Sequence, residues 1–144
     1  MAVDTFPDTA TDPTAETIAK TMAFFAGMPD HADLIRVFTS RYGQPMLGGT
    51  RAVFDLQDGT VAKVAVSDEG MMANAREAAH TDSFIPLAPC RIDWDPDLEV
   101  SYLIMDRVDP VYTIAYKDLP PWASWVDCAQ VGRLPDGTLV AYDL

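Results

Sequence analysis

Basic residues are scarce in this chain of 144 residues: 10 Lys and Arg stand against 22 Asp and Glu, a formal net charge of −12. That deficit excludes a broad phosphate-binding surface, so nucleic acid is not expected as a direct partner. Cysteine is nearly missing too. Cys90 and Cys128 are too few for a disulfide framework and lie in no CxxC or Cys/His cluster, which points to a reduced, cytoplasmic chain. His31 and His80 have no ligand partner at helical spacing, so no metal site is expected. Long apolar runs are also lacking, and Met1-Ala2-Val3-Asp4-Thr5-Phe6 has neither the basic start nor the apolar stretch of a signal peptide. The expectation is a soluble, unsecreted chain with no membrane partner.

What the sequence does hold is enough apolar material for a core, 49% of its residues. Residues 1–14, with Asp4, Asp8 and Asp12 among Pro7 and Pro13, are expected as a disordered acidic arm. The remainder, 15–144, is expected to fold as a single α+β domain. A helical hairpin is expected over 15–43. Its first member, Thr14 to Ala26, carries Ile18, Met22 and Phe25 at helical spacing; its second starts at Asp30 as N-cap and runs through Leu34, Ile35, Val37 and Phe38 to Tyr42, with Gly43 as stop.

From Gly48 the apolar period drops from about 3.6 residues to about 2. Thr50, Ala52, Phe54 and Leu56 share one strand face, Asp58-Gly59 turns the chain, and Val61 to Val66 returns. Ser67-Asp68-Glu69 then caps a helix with apolar positions Met71, Ala75, Ala78 and Ala79, ending near His80. A second hairpin of buried character is expected from Cys90 to Trp94 and Leu98 to Val108, turning at Asp95-Pro96-Asp97. A short helix from Trp122 to Ala129 precedes a third hairpin, Gln130 to Arg133 and Leu139 to Asp143, which turns at Pro135-Asp136-Gly137.

The stretch richest in chemistry is Gly48-Gly49-Thr50-Arg51-Ala52-Val53-Phe54 with Val61-Ala62-Lys63-Val64-Ala65. A glycine-bearing strand entry lets backbone N–H groups approach a phosphate, although adjacent glycines also make an ordinary tight turn. Lys63 sits among small apolar residues, where its charge needs a partner, and Glu77 on the next helix is the candidate. On a solvated surface that pair would contribute only about 0–1 kcal/mol.

This order resembles the N-terminal lobe of the protein-kinase-like fold: a glycine-rich hairpin, a strand lysine, a helix bearing an acid, then two strands leading to a hinge near Asp106-Arg107-Val108. The piece from Gly132 to Leu144 is similar to the hairpin after the family's catalytic loop, which puts Asp143 where the metal-binding aspartate of Asp-Phe-Gly belongs. Over Gly48 to Leu144 the chain is most similar to the small kinase-like proteins of bacteriophage genomes. The resemblance implies a kinase-lobe sheet crossed by one helix, and a nucleotide site drawn from Gly48, Gly49, Lys63, Glu77 and Asp143. It departs from the family at the catalytic loop. No His-Arg-Asp is present, Asp127-Cys128-Ala129-Gln130 is a shortened remnant at best, and no glycine follows Asp143.

The acids supply a second line of reading. Asp93, Asp95, Asp97 and Glu99 crowd a hairpin tip and would attract a basic surface; Trp122 and Trp125, three apart, serve either the core or an interface. The acidity serves either such a partner or solubility alone. The expected function is a non-catalytic, kinase-like acidic interaction protein of viral origin. It would bind and inhibit a host protein with a basic surface, such as a nucleic-acid-binding enzyme whose groove it would occupy by phosphate mimicry, and no cofactor is expected. The alternative is an ATP- and Mg-dependent phosphotransferase or nucleotide-binding protein using Lys63, Glu77 and Asp143.

Overall fold

A computed structural model describes residues 28–81, 84–126 and 130–144. The arm expected over 1–14 and the helix expected over Thr14 to Ala26 lie outside them. The second helix is present as α1, Pro29–Tyr42. Pro29 suits the first helical position, where no intrahelical N–H is needed. This moves the N-cap to Met28 and corrects the assignment of Asp30, which lies in the first turn, favourably placed at the positive end of the helix dipole.

The chain is α+β. Strands β1 (Met46–Leu47), β2 (Arg51–Asp55), β3 (Thr60–Ala65), β4 (Cys90–Asp95) and β5 (Val100–Asp106) form an antiparallel sheet in the order β1-β2-β3-β5-β4. The β2–β3 turn falls at Asp58-Gly59 as expected, and Gly59 takes φ +90°, which a side chain would resist. Strand alternation then divides the sheet into two faces. Ala52, Phe54, Ala62, Val64 and Val100 pack on Leu34, Ile35 and Phe38 of α1. Phe38 is the hub of that layer, edge-to-face against Tyr42, Phe54 and Tyr102 with ring centroids 5.1–5.5 Å apart.

On the opposite face Val53 stands beside Lys63 and Lys63 beside Leu103. Helix α2, Asp68–Ala78, lies against this side of the sheet with Ser67 as its N-cap, accepting the Gly70 N–H. The expected apolar stripe is corrected: Met71, Ala75, Ala78 and Ala79 are exposed, and the buried face is Gly70, Ala73, Asn74 and Glu77. Close packing favours the small and hydrogen-bonding residues here, because the strands beneath present cations as well as apolar groups. The helix stops at Ala78, short of His80, whose ring bonds the Ile85 carbonyl.

The C-terminal segment adds a smaller antiparallel sheet, β6 (Asp109–Pro110), β7 (Val131–Arg133) and β8 (Leu139–Ala141), in that order. The β7–β8 hairpin is as expected; β1 and β6, each too short to show a period, were not legible. The Ala88 N–H donates to Ala141 and the Ala141 N–H to Pro86, both at 2.8 Å, stitching this sheet to the approach to β4. A second core of Ala88, Leu103, Met105 and Val140 fills the join.

Further expectations are corrected. Strand β4 is not buried, since Arg91, Ile92 and Trp94 are exposed at the end of the sheet, where among the described residues only β5 pairs with it. The expected helix from Trp122 is a 3-10 turn, Pro121–Trp125, and residues 127–129 lie outside the described ones. Among the described residues no helix is long and apolar enough to cross a membrane.

A buried charge cluster as the candidate functional site

The site depends on how closely α2 approaches the sheet. Gly70 lies so near β2 that a Cβ there would come within 2.1 Å of the Thr50 carbonyl oxygen and 3.1 Å of the Ala65 Cβ. Asn74 and Glu77 follow Gly70 on the same helical face, at spacings that stack one above the next. The helix therefore lowers an amide and a carboxylate onto the two cations of the sheet, Arg51 and Lys63.

The contacts are close and mutual. The Arg51 guanidinium grips Glu77 with both nitrogens, Nη1 to Oε1 at 2.8 Å and Nη2 to Oε2 at 3.1 Å. It also donates to Asn74 Oδ1 and Asp143 Oδ1, each at 3.0 Å. Lys63 Nζ donates to Glu77 Oε1 at 3.1 Å and to the Tyr142 carbonyl. The Leu144 N–H donates to Glu77 Oε2 at 3.1 Å, and Asn74 returns an N–H to the Lys63 carbonyl at 3.0 Å. Glu77 is only 1% exposed and Lys63 5%. Two cations meet two carboxylates, Glu77 in the interior and Asp143, 33% exposed, at the rim of the cluster.

Burial would raise the Glu77 carboxyl pKa, but the Arg51 hydrogen bonds and the Lys63 charge outweigh it and hold the group below its ordinary value. For Lys63 the loss of water pulls the ammonium pKa down, with Glu77 pulling the other way. A carboxyl whose folded pKa is depressed adds stability above its unfolded pKa and loses it as pH falls through the folded one. Acid unfolding of the wild-type chain is accordingly expected to include a step below the ordinary glutamate range that is absent in Glu77→Gln, measured by circular dichroism against pH. Coincident acid transitions in the two proteins would contradict the assignment.

Of the residues singled out in the sequence, Lys63, Glu77 and Asp143 are brought together. Gly48 and Gly49 form the exposed turn between β1 and β2, closed by the Gly48 N–H on the Arg51 carbonyl at 2.9 Å. Asp93, Asp95, Asp97 and Glu99 occupy the β4–β5 hairpin. Asp95 is partly engaged there, its Oδ1 accepting the N–H groups of Asp97 and Leu98 at 3.0 and 2.9 Å. Trp125 is 72% exposed and meets Phe84 edge-to-face at 6.2 Å, while Trp122 is half-buried. Arg51 and Asn74 escaped the sequence reading. A signal for Arg51 existed, because the face shared by Ala52 and Phe54 leaves Arg51 on the face of Lys63 once the hairpin register is drawn.

No known family model, curated protein or solved structure matches the chain. A cleft of about 330 Å³ at the C-terminal end of α2 is lined by Glu77, His80, Thr81, Leu87, Pro89 and Cys90, among others, and its lining includes neither Lys63 nor Asp143. The Cys90 thiol there donates to the Glu77 carbonyl at 3.4 Å, and burial, with the Glu77 charge beside it, raises its pKa, which suits an inert thiol. Among the described residues no group of three or more His, Cys, Asp or Glu is arranged to hold a metal ion.

Proposed function

We propose that this chain works by binding another protein through its acidic surface and carries out no phosphoryl transfer. The observation that carries this reading is the closure of the charge cluster by Arg51. The aspartate that the kinase-like resemblance would assign to metal is already held by Arg51, and the lysine it would assign to nucleotide phosphates also donates to the Tyr142 carbonyl. A guanidinium bound to both carboxylates does the neutralising that a divalent metal would otherwise do, so these residues do not fit Mg-ATP as they stand. Their role is to clamp residues 142–144 against α2 and the sheet. The net charge of −12 and the acids of the β4–β5 hairpin make a basic surface the natural counterpart, with attraction acting chiefly on association rate. In keeping with the resemblance to small phage proteins, the partner is a host protein whose basic groove the chain blocks.

One observation favours the alternative of an ATP-dependent phosphotransferase: the Lys63–Glu77 pair at 3.1 Å. Thermal unfolding separates the two. A nucleotide present at about 100 times its Kd would add about 2.7 kcal/mol and raise the melting temperature by several degrees. The expected result is an unchanged melting temperature with millimolar Mg-ATP, matched to Mg-phosphate at equal ionic strength, and no transfer of labelled phosphate. A rise specific to Mg-ATP and lost in Lys63→Met would overturn the non-catalytic reading.

A further inference from the structure

Strand β4 ends the five-stranded sheet, and among the described residues nothing pairs with its outer side. The Asp106 N–H bonds the Pro89 carbonyl at 2.8 Å, and the register runs unbroken from Cys90↔Met105 to Asp95↔Val100. Antiparallel ladders alternate, so the backbone groups of Arg91, Asp93 and Asp95 turn towards β5 and those of Cys90, Ile92 and Trp94 turn outward. The Trp94 N–H agrees, being taken by the Asp93 carboxylate at 2.8 Å instead of by a strand. Ile92 thus offers an N–H and a carbonyl at an open edge. Its side chain, 43% exposed, shares a face with that of Trp94, 55% exposed.

Charge selects what can pair there. From Cys90 to Glu99 the hairpin carries four acids against one cation, Arg91, which already pairs with Asp93 at 3.4 Å, so a second copy would bring net negative charge against net negative charge, as edge strands ordinarily repel their own kind. A strand carrying Lys or Arg meets the opposite condition. Period-two alternation would place its basic side chains beside Asp93 and Asp95 on one face and its apolar ones beside Ile92 and Trp94 on the other.

We propose that the outer edge of β4 takes up an extended protein segment in which Lys or Arg alternates with apolar residues, adding it to the sheet as a further strand. For its biological partner this rests on the protein-binding reading above and sharpens it. The edge itself is tested without that partner.

The test uses the full chain and a fluorescein-labelled octapeptide of alternating Lys and Val, with a peptide of the same composition in which lysines and valines form separate blocks. Anisotropy is expected to show the alternating peptide binding about ten-fold or more tighter, and weakening as salt shortens the Debye length to about 8 Å and below. Ile92→Pro removes an outward N–H that no described strand uses and is expected to abolish the preference while the melting temperature holds. N-methylation of alternate peptide amides is expected to do the same with the protein unaltered, so the proposal stays testable even where the proline variant folds poorly. Asp93→Asn with Asp95→Asn, which keeps the turn acceptors, is expected to flatten the salt dependence. Equal binding of the two peptides, binding indifferent to amide methylation, or no binding at all would overturn the edge-pairing proposal. None of these results bears on the Mg-ATP measurement, so failure of the edge and failure of the non-catalytic reading are told apart.

Discussion

Replacing Glu77 with Ala is expected to lower the unfolding free energy by about 3–5 kcal/mol, because it takes from two buried cations the one buried carboxylate they share. Arg51 loses both arms of its bidentate contact and Lys63 its only described carboxylate at hydrogen-bond distance, in an interior that supplies little water to either. The Leu144 N–H loses its acceptor as well, so residues 142–144 should come loose from α2. In a domain of this size the loss corresponds to a fall in melting temperature on the order of 10 °C. Urea unfolding followed by circular dichroism measures it. A loss below about 1 kcal/mol would be the value of a solvated pair and would sink the description of the cluster as buried and closed. Glu77→Gln should fall between, since an amide keeps an acceptor for Arg51 but no charge.

A single methyl group at Gly70 should have a comparable effect by a different route. Helix propensity taken alone says that Gly70→Ala stabilises α2 by about 1 kcal/mol. Sterics say the opposite. The new Cβ would lie 2.1 Å from a backbone carbonyl oxygen of Thr50, an atom that cannot swing aside as the end of a flexible side chain can. Overpacking of this kind costs about 1–3 kcal/mol and occasionally more, and a contact this short with main chain belongs at the top of that range. Sterics should win, with a net destabilisation of about 2 kcal/mol or more by urea unfolding. The variant should also let α2 ride away from the sheet, so Glu77 loses part of its hold on Arg51 and the acid transition moves to higher pH. A variant more stable than wild type would show that the helix approaches less closely than described.

Local patterns made much of this fold legible. Alternation around Ala52 and Phe54 with the Asp58-Gly59 turn gave the β2–β3 hairpin, Ser67 marked the start of α2, and Gly43 marked the end of α1. These signals need only neighbours in the chain. The pairing of Lys63 with Glu77 was also anticipated, because a lysine among small apolar residues calls for a carboxylate and the following helix held one. The buried face of α2 was misjudged for a related reason. Apolar periodicity pointed to Met71, Ala75, Ala78 and Ala79, but what a helix buries depends on what lies beneath it, and here that includes two cations.

By itself, then, the sequence determined the α+β class, the three β-hairpins, the limits of α1 and α2 to within a few residues, and the acidic character of the chain. Only the tertiary structure decided that Arg51 joins Lys63 under α2, that Asp143 comes back across the chain to Arg51 and the Leu144 N–H to Glu77, and that among the described residues β4 has an open edge. The physical reason is the same in each case. Period and capping act over a few residues, whereas a buried charge is satisfied by whatever the packing of distant segments brings within about 3 Å, and a strand's edge is open or closed according to its neighbours in the sheet.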